Sequence, residues 1–107
     1  GLSNSTRGVF KLGFQSGYTN AMEYITIATL GNSTDFGDAV NVVVSMATGA
    51  SPTRGIFAGG AGSAPSYTKT NVIQKIEILT TGDAVDFGDL TDTVTHNAGF
   101  SNGHGGL

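Results

Sequence analysis

The sequence predicts an all-β chain made of two similar units, each a set of four short antiparallel strands. Three observations predict it. The block Gly31 to Asp38 (GNSTDFGD) returns as Gly82 to Asp89 (GDAVDFGD). Each block follows a Thr-Arg-Gly, at Thr6-Arg7-Gly8 and Thr53-Arg54-Gly55, and then an alternating apolar segment. No stretch sustains a helical period or opens with a capping box before an apolar run, so helix content is expected to be low.

In chain order, Arg7 to Phe14 and Arg54 to Gly60 are short apolar runs that read as the first strand of each copy. Glu23 to Ala28 and Lys75 to Leu79 alternate apolar with polar, the period of a half-buried strand, with Ile25 and Ile27, or Ile76 and Ile78, on one side. A turn follows at Gly31 or Gly82, then a short strand reaching Phe36 or Phe87 and a Gly-Asp corner at Gly37-Asp38 or Gly88-Asp89. The fourth strand is predicted at Val40 to Met46 and at Leu90 to Thr95; Val42-Val43-Val44 is β-branched and favours extended backbone. The second copy is longer between its first two strands, in Gly59 to Ser66, where loop-closure entropy makes an insertion inexpensive. Residues 3–50 thus form one repeat, 51–100 a second, and 101–107 the opening of a third or a closing strand.

Four strands in about fifty residues is the size of one propeller blade, and such a unit buries its faces only against neighbours. Small residues at Gly8, Gly13, Gly55, Gly59 and Gly60 are expected to let units approach near an axis. Phe36 or Phe87 would fill the wider gap outside, each burial contributing roughly 1.5–3 kcal/mol. Two blades do not close a ring. Closure therefore calls for further blades of a longer parent chain or for several copies, with three copies, and so six blades, the favoured number. Ser3 to Phe10 and Val94 to Leu107 are the expected seam strands. The opening Gly1-Leu2 lacks the polar features of a terminal cap, which favours excision from a longer polypeptide.

Composition narrows the function. Net charge is −3 with 12% charged residues, so no basic surface exists to neutralise phosphates, and nucleic acid is not an expected partner. No apolar run approaches the roughly 18 residues of a membrane-spanning helix, so no membrane partner is expected. With no cysteine, disulfides contribute nothing to stability. The 17 glycines, without a collagen period, suit many tight turns between short strands.

The run Ser51 to Gly60 (SPTRGIFAGG), the alternating Ile76-Glu77-Ile78 and the block Gly82 to Leu90 together resemble the Kelch-like repeats of marine bacteriophage structural proteins, those of cyanophages among them. The closing Ser101 to Leu107 is similar to the tail end of such proteins. More loosely, the chain resembles Kelch propeller blades, which pair a diglycine with a downstream aromatic: Gly59-Gly60 and Phe87 fit. The first copy has Leu12 and Gly13 at the diglycine. The resemblance covers essentially the whole chain and marks Arg7, Gly8, Asp35, Phe36, Gly37, Asp38, Arg54, Gly55, Gly59, Gly60, Asp86, Phe87, Gly88 and Asp89 as the repeat motif. It implies a Kelch-like propeller and a virion component of the tail, a fibre or the capsid exterior, in contact with other virion proteins and not an enzyme.

Candidate chemistry is weak beside this. Gly99 to Gly103 (GFSNG) has the nucleophile-elbow pattern and His104-Gly105-Gly106 follows it, but the chemistry needs a strand, a sharp turn, a helix and a later base. The residues after Gly103 are too few for that, and Ser101 aligns with the structural Ser51. His96 and His104 lack the further ligands a metal site needs. Asp83, Asp86, Asp89 and Asp92 form an acidic ladder without the order of known calcium loops; the expected role of Asp35, Asp38, Asp86 and Asp89 is to accept backbone N–H groups in tight turns. Gly59 to Ser63 lacks the Lys-Ser/Thr ending of a phosphate loop. Asn4 and Asn32 open glycosylation sequons by pattern alone. No catalytic residue, cofactor or metal is therefore expected. One binding surface remains open: Tyr18, Tyr67 and Lys69, with Phe14, fall in the connections between the first two strands, where aromatics can form a platform for a host surface glycan. The leading expectation is a non-enzymatic virion structural or attachment component; the rival is a lectin-like propeller.

Overall fold

A computed structural model describes residues 1–14, 16–63 and 65–101 as an all-β chain of two four-stranded antiparallel sheets, with no helix among the described residues. Sheet one is a meander of β1 (Leu2–Ser3), β2 (Arg7–Lys11), β3 (Ala21–Thr26) and β4 (Thr34–Asp38). Sheet two repeats it with β5 (Ala47–Ala50), β6 (Arg54–Ala58), β7 (Thr70–Glu77) and β8 (Val85–Val94). The registers agree between copies. Gly8 faces Ile25 as Gly55 faces Ile76, and Met22 faces Gly37 as Ile73 faces Gly88. Both sheets slip register at the same place, between Met22 and Glu23 and between Ile73 and Gln74.

Local chemistry explains why the two segments fold alike. Asn4 Oδ1 accepts the backbone N–H of Thr6 and Arg7 at 2.9 and 2.8 Å, closing the β1–β2 turn. Ser51 Oγ accepts those of Thr53 and Arg54 at 3.4 and 3.1 Å and closes β5–β6. Asx and Ser turns of this kind replace backbone hydrogen bonds that a tight turn cannot make. At the register slip of each sheet, Asp35 Oδ1 accepts the Gly37 N–H and Asp86 Oδ1 that of Gly88. Asp35 and Asp86 therefore do bond backbone, but at bulges inside β4 and β8 instead of in isolated turns, whereas the carboxylates of Asp38 and Asp89, expected to do the same, accept no backbone N–H among the described residues.

The predicted fourth strands need correcting. Val40 to Met46 is not a strand; only Val44 makes an isolated bridge, to Ala61. Side chains take part of its backbone bonding, the Val40 N–H donating to Gln74 Oε1 and the Val43 carbonyl accepting from Lys11 Nζ, beside the backbone pair of Val44 and Ala61. Leu90 to Val94 is extended, but as the continuation of β8. The remaining strand of each sheet comes before the Thr-Arg-Gly, as β1 and β5.

The glycine expectation also holds only in part. A Cβ on Gly55 would come within 2.6 Å of Leu2 Cδ2, so here one sheet does press on the other. Gly8 instead faces Ile25 of its own sheet, and Gly13 faces Val44. Gly59 and Gly60, at φ 70° and 106°, turn the chain beyond β6 against Val94 and Met46, a conformation that glycine adopts without Cβ strain.

One core lies between the sheets. Sheet one contributes Val9, Met22 and Phe36, and sheet two contributes Phe57, Ile76, Ile78 and Ala84. Gln74 is buried with them and its Oε1 is 2.7 Å from the Val40 nitrogen across the junction. Phe36 is 2% exposed, whereas its counterpart Phe87 is 53% exposed. The same motif meets a partner in one copy and solvent in the other.

Candidate functional site

The repeat signature forms the junction itself. Phe36-Gly37-Asp38 of β4 runs against Gly82-Asp83-Ala84, the turn between β7 and β8. The Gly82 N–H donates to the Phe36 carbonyl at 2.7 Å and the Ala84 N–H to the Asp38 carbonyl at 2.8 Å. The Asp38 N–H donates to Asp83 Oδ1 at 2.9 Å, a charge-assisted bond. A Cβ on Gly37 would lie 2.5 Å from Gly82 backbone atoms, so only glycine fits. Further along, the Arg7 guanidinium lies 4.2 Å over the Tyr24 ring and donates to the Ile78 carbonyl at 2.9 Å. Tyr24 meets Phe36 edge to face at 6.0 Å. The Asn4 amide donates to the Pro52 carbonyl at 2.7 Å, so this sequon asparagine is already engaged on both sides of its side chain.

A second surface lies at the end where the β2–β3 and β6–β7 connections emerge. Phe14 and Tyr18 pair edge to face at 5.2 Å across the first connection. Phe14 is 68% exposed and Tyr67, in the second, is 54% exposed at φ 46°. The two connections share a base: Gly13 lies against Val44, Val44 bridges to Ala61, and Ala61 bridges to Lys69. Lys69 is exposed beside Tyr67. The structure thus brings Tyr18, Tyr67 and Lys69 to one end of the sheets and adds Phe14 as the most accessible ring among them.

Other sequence candidates scatter. Asp83, Asp86 and Asp92 each accept a backbone N–H, and Asp89 stands on β8. Among the described residues no group of three or more His, Asp or Glu is placed to hold a metal ion. His96 occupies a corner at φ 54° and donates its backbone N–H to Ser45, the counterpart corner at φ 59°. His104, with the rest of 102–107 and so the last two residues of the elbow pattern and nearly all of the third-repeat opening, lies outside the described residues, as does Ala64 of the insertion.

Sequence reasoning missed two residues. Gln74 holds the Val40 segment, and only its polarity inside an apolar alternation marks it. Lys11 sends its ammonium to the carbonyls of Leu12, Thr19 and Val43 at 3.1, 2.9 and 2.6 Å, tying the β2–β3 connection to the segment after β4. Burial pushes its pKa from 10.5 down to about 8.

Fold and junction define a class: an all-β protein of repeated four-stranded sheets packed through a shared sequence block. Compared with known protein families, curated proteins and solved structures, the chain has no match.

Proposed function

We propose that the chain is a non-enzymatic structural or attachment component of a bacteriophage virion, in the tail, a fibre or the capsid exterior, built of β-propeller-like blades. The observation that carries this reading is the junction between the sheets. The block that resembles the phage Kelch-like repeats, Asp-Phe-Gly-Asp, is the block that docks one sheet on the next, through Phe36, Gly37 and Asp38. A chain whose most specific motif serves packing is suited to building an assembly. Further blades, supplied by copies of the chain (three being the simplest ring of six) or by a longer parent chain, would complete it. Immunogold labelling of purified phage particles with an antibody against the chain tests the proposal. Label on tails, fibres or capsids supports it; signal in the infected lysate but none on particles overturns it.

A second reading, a lectin-like module for host surface glycans, is favoured by one specific observation. Phe14 and Tyr67 are solvent-facing rings on the same end as Tyr18 and Lys69, and aromatic faces of this kind stack on sugar rings. A glycan array separates the two. Reproducible binding, abolished by Tyr18→Ala or Tyr67→Ala, selects the lectin.

A further inference from the structure

We infer that the two outer sheet faces dock on one another between copies of this chain, head to tail, repeating the junction already formed inside it. Both halves of that junction occur twice in the chain, and one of each is unused. The donor half, Gly82-Asp83-Ala84, has its counterpart in Gly31-Asn32-Ser33, which is exposed on sheet one. The acceptor half, Phe36-Gly37-Asp38, has its counterpart in Phe87-Gly88-Asp89 on sheet two. Gly88 keeps the positive φ of Gly37, 154° against 135°, yet nothing lies within 4 Å of where its Cβ would stand. At Gly37 the space is filled by Gly82. At Gly88 it is open, and Gly31, the counterpart of Gly82 in the repeat, is the residue that fills it by repetition.

The faces agree in chemistry as well as in pattern. Sheet one presents Phe10 and Ile27, 45% and 52% exposed, at the positions of the buried Phe57 and Ile78. Sheet two presents Phe87 at the position of the buried Phe36. Asn32 Oδ1 offers the Asp89 N–H the acceptor that Asp83 gives Asp38. Arg54 stands where Arg7 donates to the Ile78 carbonyl, so its new acceptor is the carbonyl of Ile27 of the second copy. Charge on the outer face of sheet two is already paired within it, Glu77 lying 3.5 Å from Arg54 and 3.9 Å from Lys75, so the apolar side chains and the backbone bonds carry the contact. At the inner edge Gly99 already lies on Thr48, so the incoming copy's two-residue β1 gives way there. An interface between unlike faces generates a ring, or a filament where the rotation does not close.

The inference rests on the blade-packing part of the proposed function and not on the virion role. Its test is the solution mass of the 107-residue chain and of two single-face variants, Ile27→Arg and Phe87→Arg, by sedimentation. Self-association of the parent chain is expected, lost by about 30-fold or more in each variant, since a charge replaces a central anchor. An equimolar mixture of the two variants is expected to form a one-to-one dimer and nothing larger, because it retains a single sound interface. A monomeric parent chain, a variant that keeps the parent mass, or a mixture that stays monomeric overturns the inference. Circular dichroism checks folding, and Ile27→Gln with Phe87→Gln replaces any arginine variant that unfolds. Particle labelling reads the virion role independently of these masses.

Discussion

Gly37 and Gly88 hold the same place in two copies of one sequence block, and they should respond differently to one methyl group. In Gly37→Ala the new Cβ meets Gly82 carbon and oxygen at 2.5 Å and the Asp83 nitrogen at 2.9 Å. All are backbone, so relief requires the β7–β8 turn to withdraw from β4. Withdrawal breaks the hydrogen bonds from Gly82 to Phe36, from Ala84 to Asp38 and from Asp38 to Asp83. At about 0.5–1.5 kcal/mol for each neutral bond and about 1.5–3 for the charged one, the loss is about 2.5–6 kcal/mol. A further ~1 kcal/mol or more comes from a side chain at φ 135°, partly offset by about 0.4–1 kcal/mol from the stiffer unfolded chain. Gly88→Ala carries only the backbone term, a net of about 0–2 kcal/mol. Urea unfolding followed by circular dichroism, at protein concentrations too low for association, reads both. With m of about 1–3 kcal/mol/M, the Gly37 variant should unfold at least ~1 M earlier than the Gly88 variant. Equal midpoints would refute the claim that the junction is what makes glycine necessary.

Three further outcomes follow from the same packing. Phe36→Ala should cost about 3–5 kcal/mol and Phe87→Ala under ~1 in the dilute chain, because only Phe36 leaves a cavity; comparable losses in urea titrations would contradict the burial. Gln74→Leu should cost about 1–3 kcal/mol by orphaning the Val40 N–H, with amide exchange at Val40 rising in step; unchanged exchange would show that bond to be dispensable. Lys11 gives a pH dependence. Between its folded pKa of about 8 and the ordinary 10.5, the unfolded chain holds a proton that the folded chain has released. The contribution of this group to stability therefore rises with pH through that window. Partial exposure and the three carbonyls, which favour the ammonium, keep the rise small. A thermal midpoint that climbs from pH 8 to 9.5 in the parent and stays flat in Lys11→Met is the expected result, and a falling parent profile would refute it.

What the sequence made legible was what each copy decides for itself. The alternation in Lys75 to Leu79 marks the buried side of β7, Ile76 and Ile78, and the repeated Thr-Arg-Gly places β2 and β6; in β3 the same alternation is present, but the core takes Met22 and Tyr24 from the other side and leaves Ile27 exposed. The misses arose where distant residues decide. Val40 to Met46 has the β-branched content of a strand, yet a strand needs a neighbour with free backbone groups. Here Gln74 and Lys11 supply side-chain partners first, and the slot beside β2 goes to Leu2–Ser3 because Asn4 turns the chain back. Propensity describes a residue, whereas pairing belongs to two segments. The Phe36 and Phe87 pair carries the point furthest. Identical Asp-Phe-Gly-Asp blocks give one buried and one exposed ring, so burial is set by position in the array and not by the block. The loop end follows the same logic. Tyr18 and Tyr67 are far apart in the chain, and their connections are tied at the base by the bridge of Val44 to Ala61, a contact between the first copy's irregular segment and the second copy's insertion. A binding surface made that way depends on the sheet junction beneath it, so Gly37→Ala should also weaken any glycan binding at Tyr18 and Tyr67 even though it touches neither ring. Unchanged binding by a destabilised Gly37 variant would separate the two surfaces.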